Sequence, residues 1–244
     1  EPLYTPNDFS ILDNLFGENW QLSLIKAEET WDITMGSNSC VIAIIEPGRY
    51  DLNHEDLQDN IVYFNNSNPP TDAHGTFVAG CAAAVTDNNI GVSSIVFNTG
   101  LMLYNGANEN NWIDAVSRGA RIINCSYISL SCAYNSYTNS VVNMLSDMGV
   151  IIVAGAGNGT YPLDHPNYPG QNRASCGING NGYAYPASYD NVISVSSIGN
   201  DNKHWDYTDG SGSTHTHNDK VDICTPGYRV LSLFPYNNYG RSSG

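Results

Sequence analysis

Two uninterrupted apolar runs, Val41-Ile42-Ala43-Ile44-Ile45 and Val150-Ile151-Ile152-Val153-Ala154, set the limits on how this chain folds. Runs without polar alternation are expected of parallel strands buried on both faces. The first closes on Glu46-Pro47-Gly48 and the second on Gly155-Ala156-Gly157-Asn158. Between them lies Asp72-Ala73-His74-Gly75-Thr76-Phe77-Val78-Ala79-Gly80, which opens a helix expected over 74–85. Its small residues, Ala79, Gly80, Ala82, Ala83 and Ala84, suit close packing against a sheet.

Further strands are expected over 101–104, 121–126, 192–195 and 221–223. Helices are expected over 112–118, ended by Gly119, and over 138–148, stopped by Gly149. This alternation predicts an α/β fold with a doubly wound, mostly parallel sheet flanked by helices. A length of 244 residues suits one large domain of that kind. Residues 1–18, with Pro2 and Pro6, read as an N-terminal arm, and 19–244 as the domain. Residues 50–72 read as loop-rich and 199–219 as an exposed Gly/Ser/Asp/His-rich segment. Ligands of such sheets bind beyond the carboxyl ends of the strands. Glu46, Ser126 and Asn158 all fall at such ends.

Lys and Arg total 9 against 24 acids, a formal charge of −15. A chain so acidic assembles no basic patch to neutralise phosphates, so nucleic acid is excluded as a partner. No apolar run approaches the length of a membrane span. The opening Glu1-Pro2 carries no signal-peptide pattern and reads as a mature or trimmed form, with a secreted or extracytoplasmic location expected. The six cysteines sit in no metal-ligand spacing. Cys40, Cys81, Cys125 and Cys224 lie in or beside apolar segments and are expected to be small buried hydrophobes. Cys132 and Cys176 lie in loop-like sequence, and a disulfide between them is testable by mass analysis with and without reduction.

An acid ending one buried strand, a histidine opening a helix and an asparagine ending another strand are parts that an acyl-transfer site uses. The surrounding residues resemble the subtilisin-like serine peptidases, the subtilases. There the acid reads Asp-Ser/Thr-Gly, the histidine His-Gly-Thr-x-Val-Ala-Gly and the asparagine Ala-Ala-Gly-Asn. The likeness runs from about Asn19 to Gly244 and includes Trp20–Ile25, Thr34-Met35-Gly36-Ser37, Tyr185-Pro186-Ala187 and Asp222–Gly227. It implies a serine endopeptidase acting on peptides or proteins. His74 would be general base, Glu46 would orient it, and Asn158 would donate to the oxyanion. Ser126, Tyr127 and Ile128, with Gly155, Ala156 and Gly157, would line the bound peptide. Thr86–Val92 resembles the family's calcium loop. Asp56 and Asn88 would offer side-chain oxygens, and Thr86, Ile90 and Val92 carbonyls. An Asn-rich turn without metal is the alternative. His215-x-His217 reads as a solvated loop rather than a metal site.

The departures from the family pattern are specific. Glutamate stands at position 46 where the family has aspartate, and its carboxylate lies one methylene further from the backbone. Arg49-Tyr50-Asp51 carries one residue more than usual, and Asp51 is a rival for the acid. Ile128 and Ser129 stand where glycines are expected. Tyr239–Gly244 resembles the approach to Gly-Thr-Ser-Met-Ala, which places the nucleophile and its helix outside this chain, since Ser242 and Ser243 lack the spacing. A second chain or C-terminal fragment is therefore expected to complete the domain. The rival readings are a subtilase-fold pseudoenzyme that binds a peptide or partner, and a peptidase limited to self-processing.

Overall fold

The computed structural model describes residues 3–65, 70, 72–129, 131, 133–159, 183–200, 214–216 and 218–244. Three short helices come first, α1 (Asp13–Phe16), α2 (Trp20–Leu24) and α3 (Ala27–Trp31). There follow β1 (Val41–Glu46), a 3-10 turn at Gln58–Asn60, β2 (Ile61–Phe64), α4 (His74–Ala83), β3 (Leu101–Asn105) and α5 (Glu109–Ser117). Next are β4 (Ala120–Cys125), α6 (Ser136–Asp147), β5 (Ile151–Gly155), β6 (Asn158–Gly159) and β7 (Val192–Ile198). The last are β8 (Thr214–His215), β9 (Ile223–Pro226), β10 (Val230–Phe234) and β11 (Asn238–Ser242). The chain divides into two units, Glu1–Ile123 with Arg229–Ser242, and Asn124–Tyr228 with Ser243–Gly244.

In the first unit the strands run β2-β3-β1, all parallel, with Ile44 opposite Leu103 and Glu46 opposite Asn105. Ala43, Ile44 and Ile45 are fully buried, as a continuous apolar run demands. Ile44, Leu57, Leu101, Leu103 and Leu233 share one core cluster with Ala79 and Ala83 of α4. The small residues of α4 have a definite use. A Cβ added at Gly80 would collide with Leu233 and Ser232 of β10, and the Ser232 hydroxyl donates to the Phe77 carbonyl at 2.8 Å. Strands β10 and β11 pair as an antiparallel hairpin.

The start of the chain is tied to the 87–93 loop. The Asn7 amide donates to Asp87 at 3.0 Å, and the Asn89 amide donates to Asn7 Oδ1 at 2.7 Å. Trp31 closes a smaller cluster with Leu22 and Ala27, and its indole N–H donates to the Ile95 carbonyl at 2.9 Å.

In the second unit β5-β7-β9 are parallel, with Ile152 opposite Val192 and Val195 opposite Ile223. Helix α6 is capped by Asn135, whose side chain accepts from the amides of Tyr137 and Thr138. It buries Val141, Val142 and Leu145. Strands β6 and β8 pair antiparallel, Asn158 opposite His215.

The architecture is the α/β fold expected, with a mostly parallel sheet and flanking helices. Several local expectations need correction. Within the loop-rich residues 50–72, Ile61–Phe64 also forms β2, with alternating burial along its four residues. The strand expected at 221–223 begins at Ile223 and runs on to Pro226. The Asp222 carboxylate instead accepts from the Ser194 amide at 2.8 Å. The β10–β11 hairpin was not foreseen. Of the cysteines expected inside, Cys125 is buried, Cys40 is half-buried, and Cys81 and Cys224 are exposed. Helix α4 turns Ala79, Gly80 and Ala83 inward, while the Cys81 thiol is hydrogen-bonded to Ser232 of β10. Cys224 lies on β9, the last strand in its order. Thr216 is buried although 199–219 read as exposed. Cys132, Cys176 and His217 lie outside the described residues.

Candidate active site

Glu46 is the last residue of β1, fully buried, and its carbonyl accepts from the Gly106 amide at 2.7 Å. His74 is the first residue of α4, and its backbone amide donates to Asp72 Oδ1 at 3.0 Å. Nδ1 of the imidazole lies 2.9 Å from Glu46 Oε2, with the histidine side chain 55% exposed. The hydrogen bond that the imidazole donates to Glu46 raises its pKa. Burial opposes it, and the charges of Glu46 and Asp72 add to it. With Nδ1–H committed to a carboxylate, Nε2 carries the lone pair that a general base uses.

Asp51, the rival acid, is engaged elsewhere. Its oxygens accept from the amides of Asn53 and Tyr236, at 3.1 and 2.6 Å. The structure therefore brings Glu46, not Asp51, to His74. Sequence reasoning treated Asp72 only as part of the histidine motif. Its carboxylate rests on Gly48, where an added Cβ would stand 2.8 Å from Oδ1.

The proposed peptide-lining residues belong to the second unit. Ser126, Tyr127 and Ile128 follow β4 outside any regular element, and Ser126 Oγ accepts from the Asn124 amide group at 2.9 Å. Gly155 ends β5, and the Ala156 amide donates to the Val195 carbonyl at 2.8 Å. Gly157 has φ +100°, and a Cβ there would stand 3.5 Å from Ile128 Cγ2 and 3.3 Å from Thr216 Oγ1. Ile128 thus flanks the glycine turn that leads into Asn158. Asn158 is exposed at the start of β6. The backbone of Gly244 comes beside it, with a Cβ position 4.0 Å from Asn158 Oδ1.

Asp56 is fully buried. Its carboxylate accepts from the Asn88 side-chain amide at 2.8 Å and from the Val92 amide at 2.9 Å. Burial pushes its pKa up to about 8, with the charges of Asp8 and Glu55 adding to the rise. Asp8, in the segment that reads as an N-terminal arm, is buried in the same place. It accepts from the Asn88 amide at 3.1 Å and from the Ser93 hydroxyl, and burial raises its pKa too. The Thr86 hydroxyl donates to the Ala84 carbonyl, and Asn88 Oδ1 accepts from the Ile90 amide. Asp87, Asn89 and Gly91 all have positive φ, and a side chain at Gly91 would overlap Asp56 and Tyr239. Among the described residues no three His, Cys, Asp or Glu side chains converge as metal ligands. A site here depends on carbonyl and amide oxygens as well.

A parallel α/β sheet with a buried carboxylate and an imidazole at a strand's carboxyl end defines a class of acid–base sites. Residues 37–244 match the model of the subtilase family, and the chain belongs to that family. It is 30% identical over 258 residues to thermitase of Thermoactinomyces vulgaris, covering 99% of this chain and 80% of that protein. It is 29% identical over 259 residues to a thermophilic serine proteinase of Bacillus sp. (strain AK1), of which it spans 56%. The fold is similar to that of the prenylagaramide maturation protease PagA, with a TM-score of 0.67, 19% identity, and coverage of 89% of this chain and 73% of that one.

Proposed function

We propose that this chain carries the acid–base half of a serine endopeptidase, and the 2.9 Å approach of Glu46 to His74 is the observation that supports it most. A serine supplied from beyond Gly244 attacks the peptide carbonyl, and His74 Nε2 takes its proton and later returns it to the leaving amine. Glu46 fixes the tautomer and stabilises the imidazolium. Asn158 donates its side-chain amide to the oxyanion. The position of Gly244 beside Asn158 supports entry of the nucleophile segment there, whether in the same chain or as a separate fragment. The peptide lies along Ser126–Ile128 and Gly155–Gly157 as an added strand.

Calcium is the proposed structural cation, held by Asp8, Asp56 and Asn88 with carbonyls of Thr86, Ile90 and Val92. Two buried carboxylates with raised pKa values fit a hard cation, whose charge offsets the cost of keeping both ionised. The proposed location is extracytoplasmic. No described helix is long and apolar enough to cross a membrane.

A second reading is a peptide-binding pseudoenzyme, favoured by Ile128 packing at the Gly157 turn. Self-processing alone is the narrower form of the first. One experiment separates them. The full-length protein is treated with a fluorophosphonate, every polypeptide is weighed, and hydrolysis of a peptide library is followed. Label on one serine with turnover supports the peptidase. Label without turnover of added peptides supports self-processing. An unlabelled protein that still binds peptide overturns the catalytic reading.

A further inference from the structure

Arg49, Tyr50 and Asp51 lie in the loop after β1, and the middle one, Tyr50, is buried. The Tyr50 hydroxyl donates to the Ile44 carbonyl at 2.8 Å, with the Tyr104 carbonyl at 3.2 Å. Those carbonyls belong to β1 and β3, the strands that carry Glu46 and its register partner Asn105. The ring lies against the first turn of α4, where a Cβ at Gly75 would stand 3.2 Å from Cδ1 and Cε1. Its neighbours reinforce the contact. The Arg49 carbonyl lies 3.1 Å from the same Gly75 position, and the Asp51 amide donates to buried Thr76 Oγ1 at 2.9 Å. One three-residue segment therefore ties the strand bearing Glu46 to the helix residues that adjoin His74.

We propose that Tyr50 is a positioning residue that sets the separation of Glu46 and His74, matching the loop to the longer glutamate side chain. The inference rests on reading Glu46 and His74 as the acid–base pair. A glutamate carboxylate reaches further than an aspartate one by a carbon–carbon bond, about 1.5 Å. For the 2.9 Å contact to form without a bent side chain, the end of β1 has to stand back from α4 by a similar amount. The hydroxyl of Tyr50 anchors the strand through its carbonyl, while the ring acts as spacer against Gly75. Misplacement of a catalytic group by about 1 Å is enough to cost two orders of magnitude in rate.

The test is made on the full-length protein with Tyr50→Phe, which keeps the spacer and removes the anchor, and Tyr50→Leu, which removes both. The His74 imidazole is titrated by NMR, and kcat and KM are measured across pH. Tyr50→Phe should lower the His74 pKa toward the ordinary histidine value and reduce kcat by about tenfold, with KM little changed. Tyr50→Leu should go further. In a Glu46→Gln background, Tyr50→Phe should leave the His74 titration where Glu46→Gln alone puts it. A Tyr50→Phe protein that melts earlier but keeps the wild-type titration and kcat would make Tyr50 an ordinary core residue and overturn the inference. If no variant cleaves peptides, yet Tyr50→Phe moves the titration, the positioning role stands and the peptidase reading falls.

Discussion

Asp8 and Asp56 are bridged by one residue: Asn88 gives its backbone amide to Asp8 and its side-chain amide to Asp56. Neither acid is paired with a basic side chain among the described residues, and both are held above the usual carboxylate range by burial. Without a cation, Asp56 binds its proton more tightly folded than unfolded, so metal-free protein should lose stability as pH rises from about 4 to about 8. Saturating calcium should flatten that slope, and Asp56→Asn should abolish it. Thermal melts across pH, with chelator and with calcium, measure all three.

The raised pKa of His74 has opposite consequences for stability and turnover. The pair's contribution to stability is complete below the ordinary histidine pKa of 6.5 and fades as pH climbs through the higher folded value. Turnover needs the neutral imidazole, so the acid limb of kcat/KM should lie above pH 6.5. Glu46→Gln should move it down in an NMR titration of His74.

Reach and charge at position 46 are separable. Glu46→Asp keeps the charge but withdraws it, and kcat should fall by about a hundredfold. Glu46→Gln keeps the reach but favours the wrong tautomer, and the loss should approach about 10⁴-fold. Steady-state kinetics on both variants would rank the two effects, and an unimpaired Glu46→Gln enzyme would remove Glu46 from the triad.

If Asn158 is the proposed oxyanion donor, Asn158→Ala should lower kcat by about 10²–10³ with little change in KM, because such a donor acts on charge that develops in the transition state. A raised KM with kcat unchanged would instead place Asn158 in ground-state peptide binding.

Gly80→Ala should destabilise the first unit by about 1–3 kcal/mol, since the new methyl meets Leu233 and Ser232 with no room to spare. Denaturant unfolding gives the figure directly.

Continuous apolar runs made β1 and β5 legible in the sequence, and Gly119 and Gly149 marked the ends of α5 and α6, both with positive φ. Helix α4 was legible from its small residues, though not the partner that requires them, since Leu233 lies far along the chain. The β10–β11 hairpin escaped because its turn uses Tyr236 and Asn237 at positive φ rather than a Gly-containing pair. At the site, residue types pointed to Glu46 and His74, while their separation depends on Tyr50, a contact that no local pattern announces. Asp8 was hidden for a similar reason. It sits among polar, irregular sequence, and only the folded chain carries it to Asp56.

The fastening of Asn7 and Asp8 onto the 87–93 loop bears on how the molecule is handled. Asn7 and Asp8 act as a clasp on the loop whose Asn88 and Val92 hold Asp56. Replacing Asn7 and Asp8 with alanine would free that loop and remove the Asp8 charge that adds to the raised pKa of Asp56, so that pKa should fall. Such damage would leave the central strands standing and show itself as a changed response to pH and calcium.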